Sequence, residues 1–249
     1  MSGTRSARVW LEVGASGAGR GAERGDVVVI IDALRASVTV AAGLRVGAQR
    51  VLPVLTVEEA DAYLDHPGYR LAGERGGAKV PHFHFGNSPT EILNHGTEIA
   101  GRVLVVTTSN GTRCVNAALG GAAVLVGSTV NARAVAQAAR ELALAHGADV
   151  TLVAAGLHDQ PASEDTYAQG VLVRRLRALG SVLSTPIADV DETQSLRVFS
   201  DSEAAGRLTG LGYVQDVRFC AQIDVWDTVP IYDGDGFCAL YKPSATRSL

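Results

Sequence analysis

Residues 26–32 read DVVVIID, five consecutive β-branched residues between two aspartates. A nearly unbroken apolar run of this length is typical of a strand that is covered on both faces of a sheet. The stretch that follows, ASVTVAAGLRVGA (36–48), has the length and composition of a helix closed by a glycine. The sequence here therefore predicts a strand followed by a helix, which is the repeating unit of an α/β fold.

The same unit recurs along the chain. Buried strands are predicted at 102–108, 122–129 and 149–156, and each precedes an alanine- or leucine-rich stretch of helical length. The tail differs, because residues 229–243 place an Asp-Gly-Asp-Gly turn between alternating runs, which predicts a hairpin. Strands that alternate with helices form parallel sheets. We therefore expect an α/β fold: a three-layer α/β/α sandwich with a mixed, mostly parallel sheet and a C-terminal hairpin.

The chain shows no low-complexity linker and no fixed-period repeat, so its 249 residues are predicted to form a single domain. Flexible ends are expected at 1–7 and 244–249. The segment GASGAGRG (14–21) has the glycines of a nucleotide-binding loop but lacks the Lys-Ser/Thr of a Walker loop. No helix is predicted after it, so we expect a flexible connection there.

Composition excludes several classes of protein. The net charge of −4 argues against a general nucleic-acid binder, which needs a basic surface to displace counterions. Three cysteines without a Cys-x-x-Cys pair predict reduced thiols in a cytoplasmic protein. The first ten residues contain no apolar segment of the kind found in secretory signals, and no apolar run is long enough to span a bilayer, so export is not expected. A homodimer is the commonest oligomeric state and the default expectation.

Three polar clusters follow predicted strands, at 32–37, 107–113 and 156–165. In open α/β sheets, ligands bind beyond the carboxyl ends of the strands. The shared position of these clusters is the strongest argument from the residues alone for a functional site.

The cluster TTSNGTR (107–113) is rich in hydrogen-bond donors. Its hydroxyls and the free amides of the following helix could bind a phosphate, although an ordinary N-capped turn has the same composition. In the first cluster, Asp32 could hold Mg²⁺ or act as a nucleophile, while Arg35 could bind a phosphate or carboxylate. An Asp–Arg pair that braces the strand end is the alternative.

The loop at 73–91 offers further candidates. Glu74 and Arg75 lie between glycines that allow close approach to a ligand, but a surface turn has the same pattern. His82 and His84 would point the same way on an extended chain, yet two histidines without a third ligand make a weak zinc signal. Contact of His84 alone with a ligand is the stronger expectation.

Acidic residues elsewhere allow two interpretations. Glu164 and Asp165 lie at a predicted helix start, where the helix dipole favours acids without any functional role. Asp224 and Asp227 could be metal ligands or ordinary turn residues. Spacing alone does not separate these cases.

With these motifs assembled, the sequence resembles the 2-phosphosulfolactate phosphatase family. The similarity extends from about residue 27 to residue 240 and keeps the motif order. The matching stretches are VVVIIDALRASVTV, GERGG, FGNSPTEI, TTSNGTR, AGLHDQPASEDTYAQG and FCAQIDVWDTVPI. The resemblance implies a Mg²⁺-dependent α/β phosphatase that releases phosphate from 2-phosphosulfolactate or a related 2-phospho-hydroxyacid, a step towards coenzyme M.

Three departures from the family pattern are visible. The segment after Arg35 reads Ser37-Val38-Thr39 where threonines are typical, and Ser109 replaces a threonine. Both changes keep hydroxyl groups, so phosphate binding should survive. His84 stands where aspartate is typical, which would alter the charge of the site and the choice of substrate if that position meets metal or substrate.

Combining the residues with the resemblance gives a predicted site for a small anionic phosphorylated substrate and Mg²⁺. The predicted catalytic residues are Asp32, Arg35 and Asp165. The predicted metal ligands are Asp32, Asp165, Asp224 and Glu74. The predicted substrate-binding residues are Ser37, Glu74, Arg75, Asn87, Ser88, Thr108, Asn110, Gly111 and Thr112. The alternatives are a phosphatase of another small phosphorylated metabolite and a non-catalytic phospho-acid-binding protein.

Overall fold

A computed structural model describes residues 6–157 and 159–240 of the chain. In this part of the chain the strands are β1 (Arg8–Val13), β2 (Val27–Ile31), β3 (Arg50–Pro53), β4 (Tyr69–Arg75), β5 (Ala78–Lys79), β6 (Val103–Thr107), β7 (Ala123–Val126), β8 (Val150–Ala154), β9 (Val182–Leu183), β10 (Pro230–Tyr232) and β11 (Phe237–Ala239). The α-helices are α1 (Gly14–Glu23), α2 (Ala36–Arg45), α3 (Val57–Asp61), α4 (Pro89–Asn94), α5 (Gly96–Ile99), α6 (Gly111–Ala118), α7 (Ala132–His146), α8 (Ser163–Ala178), α9 (Ser195–Ser200), α10 (Glu203–Gly210) and α11 (Val214–Cys220).

The described strands form one mixed sheet in the order β5-β4-β6-β3-β11-β10-β7-β2-β8-β1-β9. Strands β4, β6 and β3 are parallel, as are β7, β2, β8, β1 and β9. The C-terminal hairpin β10–β11 lies between these two parallel groups and pairs antiparallel with β7 and β3. The predicted fold class is confirmed. The hairpin joins the two parallel groups in the middle of the sheet.

Strand β2 shows why its sequence is apolar throughout. Val27, Val29 and Ile31 pack into a core with α7, α8 and the helices near the C-terminus. Val28 and Ile30 point to the other face and pack with α2 and α6. Because both faces of β2 are covered, every side chain of the strand is buried.

The prediction for 14–21 is wrong, because this segment is most of helix α1. Glycine suits this helix because it packs unusually close to its neighbours. A Cβ at Gly17 would lie 2.8 Å from Cβ of Glu12, and one at Gly21 would lie 2.9 Å from Cγ2 of Thr151. Strand β1 precedes the helix and pairs with β8, so the sheet begins before the first predicted strand.

Of the expected flexible ends at 1–7 and 244–249, residues 1–5 and 244–249 lie outside the described residues. Ser6 and Ala7 are anchored, because the Ser6 hydroxyl donates to the Gly180 carbonyl and the Val182 amide donates to the Ala7 carbonyl. The three cysteines are free thiols, as expected. No helix among the described residues has the length and apolar character needed to cross a membrane.

Candidate active site

A cavity of about 520 Å³ opens where several strands end. Its walls come from the loops after β2, β4, β5, β6 and β8, together with the first turn of α8 and one side of α10. It is lined by Asp32, Leu34, Arg35, Glu74, Gly76, Gly77, Asn87, Ser109, Asn110, Gly156, Leu157, Pro161, Ala162, Ser163, Glu164, Asp165, Glu203, Ala204, Arg207 and Leu208. All three polar clusters predicted from the sequence therefore contribute to one cavity.

Asp32 follows β2 directly and lines the cavity. Its Oδ1 accepts a hydrogen bond from the Ala36 amide at 3.1 Å, and its own amide donates to the Ser37 hydroxyl at 2.9 Å. Burial raises the pKa of Asp32 to about 6, and the nearby carboxylates of Glu74 and Glu164 add to the shift. Ser37 thus holds the backbone of Asp32, and the environment of Asp32 favours an added positive charge.

The start of α6 lies against Asp32. A Cβ at Gly111 would come within 2.8 Å of Oδ2 of Asp32, so glycine is needed for this approach. The Thr108 hydroxyl accepts from the Thr112 amide at 3.3 Å, and the Thr112 hydroxyl donates to the Thr108 carbonyl at 3.0 Å. These two hydroxyls stabilise the turn, while Asn110 lines the cavity.

Glu74 joins two walls of the cavity. Its carboxylate accepts from the Gly77 amide at 2.6 Å and from the Ser109 amide at 2.7 Å. The predicted partner Arg75 is directed elsewhere, because its guanidinium donates to the Glu74 carbonyl and to the Thr107 hydroxyl. Arg75 is not among the described residues that line the cavity. Glu74 therefore holds the turn at Gly77 and the loop at Ser109 together.

Asp165 joins two other walls. Its oxygens accept from the Ala33 amide at 2.7 Å and from the Gly156 amide at 2.8 Å. Burial raises the pKa of Asp165 well above its usual range, with further contributions from Asp32 and Glu164. Asp165 thus does more than favour a helix start, because its carboxylate holds the loops that follow β2 and β8.

Arg35 lines the cavity, but its charge is already paired. Its guanidinium donates to Asp216 at 2.9 Å and to the Gly77 carbonyl at 2.7 Å, and both side chains of the ion pair are buried. The guanidinium also lies 4.2 Å from the centre of the Tyr213 ring. The arginine pairs with Asp216, and the alternative of an Asp32–Arg35 brace is not what the structure shows.

Ser88 and Asn87 lie next to this network. Ser88 accepts from the Glu91 amide as the N-cap of α4, and its hydroxyl donates to Asp216 at 2.9 Å. Asn87 is buried and lines the cavity, and its Oδ1 lacks a hydrogen-bond partner among the described residues. A buried amide oxygen without a donor is costly, so the Asn87 oxygen is a candidate for contact with a ligand.

Asp224 and the histidines lie away from these residues. Asp224 accepts from Arg175 at 2.8 Å and from the Arg133 amide at 2.6 Å. His82 contacts Asp61, and Nδ1 of His84 accepts from the Leu71 amide at 3.1 Å. None of these four acidic or histidine side chains is among the described residues that line the cavity. His84 therefore does not contribute to the charge of the cavity wall.

The donor set of the cavity fits Mg²⁺ with few protein ligands. The described residues contain no group of three His, Cys, Asp or Glu side chains arranged to hold a metal. Mg²⁺ commonly takes only one or two protein carboxylates and fills its remaining positions with water and substrate phosphate. The raised pKa of Asp32 and the unpartnered oxygen of Asn87 are both features that a cation would relieve.

Three residues of this region have a position that the sequence pattern does not indicate. The place of Glu164 at a helix start is explained in sequence by the helix dipole alone, but Glu164 is buried and lines the cavity. Asp216 was not singled out because its partner Arg35 lies 181 residues away in sequence. Arg207 forms an i,i+4 pair with Glu203, which in sequence looks like any exposed helix face.

The fold and the cavity define an α/β protein with a carboxylate-rich ligand site at the strand ends. Comparison with known sequences identifies the family more closely. The profile of the 2-phosphosulpholactate phosphatase family matches residues 18–235. The chain therefore belongs to the 2-phosphosulfolactate phosphatase family.

Curated relatives match most of the chain. A probable 2-phosphosulfolactate phosphatase of Thermus thermophilus is 39% identical over 219 residues, covering 84% of this chain and 89% of the relative. The 2-phosphosulfolactate phosphatase of Methanothermobacter thermautotrophicus is 38% identical over 214 residues, covering 84% and 88%. A probable 2-phosphosulfolactate phosphatase of Deinococcus radiodurans is 37% identical over 216 residues, covering 82% and 87%.

Proposed function

We propose that this protein is a Mg²⁺-dependent phosphatase that hydrolyses 2-phosphosulfolactate or a related 2-phospho-hydroxyacid. The observation that carries the proposal is the contact between Asp32 and the start of α6. There a carboxylate suited to a cation lies beside a turn whose amides and side chains suit a phosphate. The names of the relatives support the substrate class.

The reaction is the addition of water to phosphorus with cleavage of the ester P–O bond. The products are inorganic phosphate and the hydroxyacid, whose oxygen takes up a proton. Unaided hydrolysis of phosphate monoesters is extremely slow, so the protein must align water and offset charge on the phosphoryl group. Bound Mg²⁺ would supply the charge compensation at the phosphoryl oxygens.

Metal binding, phosphate binding and positioning of the loops would fall to different residues of the cavity. Asp32 would hold Mg²⁺, with Glu164 and the Asn87 oxygen as further donors in the cavity wall. Asn110 and the start of α6 would bind the phosphate. Glu74 and Asp165 keep the loops around these groups in place through their bonds to backbone amides.

Phosphate release from a panel of esters tests the proposal. The panel contains 2-phosphosulfolactate, 2-phospholactate, phosphoglycolate and glucose 6-phosphate, each with Mg²⁺ and with EDTA. We expect release to be fastest with 2-phosphosulfolactate, to stop in EDTA and to return when Mg²⁺ is added in excess. Full activity in EDTA would exclude the metal, and a preference for the sugar phosphate would favour another pathway.

The same panel distinguishes an enzyme from a binding protein. A non-catalytic binder would show a rise in melting temperature with a phospho-acid but no phosphate release, since selective binding stabilises the folded form without turnover. The assignment to coenzyme M synthesis stays a prediction from the resemblance, and the assignment to the cytoplasm stays a prediction from the cysteine pattern.

A further inference from the structure

The charge of the cavity wall is strongly unbalanced. The acidic residues that line it are Asp32, Glu74, Glu164, Asp165 and Glu203. Among the described residues, the basic side chains that line it are Arg35 and Arg207. A 2-phospho-hydroxyacid adds a phosphate and a carboxylate, and 2-phosphosulfolactate adds a sulfonate as well. Binding such a ligand requires positive charge near each anionic group.

Arg35 does not supply that charge freely. Its buried ion pair with Asp216 and its bond to the Gly77 carbonyl fix the guanidinium within the protein. Removing Asp216 from this pair would leave a buried charge without a partner, which is costly. Arg35 therefore shapes the cavity wall, and its charge is offset before any ligand arrives.

Arg207 is in a different situation. Its side chain is 41% exposed, and its partner Glu203, 3.5 Å away on the same helix, is 83% exposed. Exposed i,i+4 pairs of this kind contribute only about 0.3–0.5 kcal/mol. An incoming anion can therefore replace Glu203 at little cost.

The position of Arg207 is nevertheless well defined. The Ser202 hydroxyl caps α10 by accepting from the Ala205 amide, and Ala205 and Leu208 are buried in the core. The stem of Arg207 lies against the turn at Gly77, where a Cβ would be 3.9 Å from Cγ of Arg207. Gly77 has φ +89 and its amide is held by Glu74, so the turn against which Arg207 packs is itself well ordered.

We infer that Arg207 determines substrate specificity by binding the anionic group, carboxylate or sulfonate, that lies beside the phosphate ester. The inference rests on the proposed function and adds a residue role to it. On binding, the guanidinium leaves Glu203 and binds the carboxylate or sulfonate of the substrate. The paired N–H donors of arginine match two oxygens of either group. Phosphate binding and Mg²⁺ remain with Asp32 and the start of α6.

The test compares wild type with Arg207→Ala and Arg207→Lys on three esters. These are 2-phosphosulfolactate, 2-phospholactate, which lacks the sulfonate, and isopropyl phosphate, which lacks both acidic groups. For Arg207→Ala we expect KM for 2-phosphosulfolactate to rise about 10- to 100-fold, the range for a hydrogen bond to a charged group. We expect kcat to change less than threefold, kcat/KM for isopropyl phosphate to be unchanged, and Arg207→Lys to recover part of the loss.

The 2-phospholactate arm identifies the group that Arg207 binds. A KM that still rises for this ester in Arg207→Ala assigns the carboxylate, and a KM that no longer rises assigns the sulfonate.

Arg197→Ala is the matched control, because Arg197 is an exposed helical arginine with an i,i+4 partner, Asp201. Arg197 is not among the described residues that line the cavity, so this variant should keep wild-type KM values.

Failure of this inference is distinguishable from failure of the proposed function. An equal loss for all three esters, or no loss for any, would overturn the role of Arg207 while phosphate release by wild type stands. If wild type releases no phosphate, the proposed function fails, and calorimetric titration with 3-sulfolactate then decides on Arg207. Weaker binding of 3-sulfolactate by Arg207→Ala than by Arg197→Ala supports the inference, and equal binding overturns it.

Discussion

Two groups of acidic side chains in this molecule lie in opposite electrostatic surroundings. The cavity cluster consists of Asp32, Glu74, Glu164 and Asp165, whose described hydrogen bonds are made mainly with backbone amides. The paired cluster consists of Asp224 and Glu192, which both bind the guanidinium of Arg175. Both clusters consist of carboxylates, a common type of metal ligand, but the carboxylates of the paired cluster are neutralised by Arg175.

The pKa directions express this difference. In the cavity cluster, burial and neighbouring carboxylates raise the pKa of Asp32 to about 6 and that of Asp165 well above its usual range. In the paired cluster, the hydrogen bond from Arg175 lowers the pKa of Glu192, and that bond raises the pKa of Arg175. We therefore take carboxylates that crowd together without an ion pair as the sign of the candidate ligand site, and carboxylates that are paired with an arginine as the sign of a structural role.

The largest expected effect is the loss of catalysis in Asp32→Asn. The amide keeps an oxygen for the Ala36 bond but removes the charge that would hold Mg²⁺ beside α6. We expect kcat for phosphate release to fall about 1,000-fold, the upper end of the range for removal of one charge-stabilising group. Steady-state kinetics with 2-phosphosulfolactate would measure it, with Asp224→Asn as the acid-to-amide control. Wild-type turnover in Asp32→Asn would remove Asp32 from the mechanism.

The same variant should make the metal-free protein more stable. The pKa of Asp32 lies above its ordinary value of 3.8 in the folded form, so the folded form keeps a proton that the unfolded form loses as pH rises. The free energy of unfolding of wild type therefore falls between about pH 4 and pH 6, and Asp32→Asn lacks this loss. We expect the variant to be more stable at pH 8 by up to about 3 kcal/mol.

Urea unfolding in EDTA at pH 4.5 and pH 8 measures this difference. EDTA is needed because a bound cation would stabilise the carboxylate of wild type and hide the effect. Equal stability of the two proteins at pH 8 would show that the cavity cluster does not destabilise the metal-free fold, and the contrast with the paired cluster would lose its basis.

Much of the fold could be predicted because it depends on local pattern. The apolar run of residues 26–32 predicts β2, and the stretch of helical length after the predicted strand at 122–129 is α7. Helix α1 was missed because its glycines serve close packing, which only the neighbouring residues Glu12 and Thr151 reveal. The place of the hairpin β10–β11 inside the sheet is likewise set by pairing with distant strands.

The site could be predicted only in part, because contacts between residues that are distant in sequence also decide it. Asp32, Asn110 and Asp165 follow strands and do line one cavity. Asp224 carries the same chemistry in sequence, but Arg175, 49 residues away, binds it. Which acids are paired and which are left for a ligand depends on contacts that spacing along the chain does not encode.

The smallest expected effect comes from the paired cluster. Asp224→Asn should lower the free energy of unfolding by about 1–2 kcal/mol, because Arg175 and the Arg133 amide lose a charged acceptor while Arg175 keeps Glu192. Asparagine is the suitable replacement, since residue 224 has φ +53 and asparagine tolerates this left-handed conformation. Phosphate release and its Mg²⁺ dependence should stay within twofold of wild type. A large rise in the Mg²⁺ concentration needed for activity, without loss of stability, would return Asp224 to the metal site and erase the distinction between the clusters.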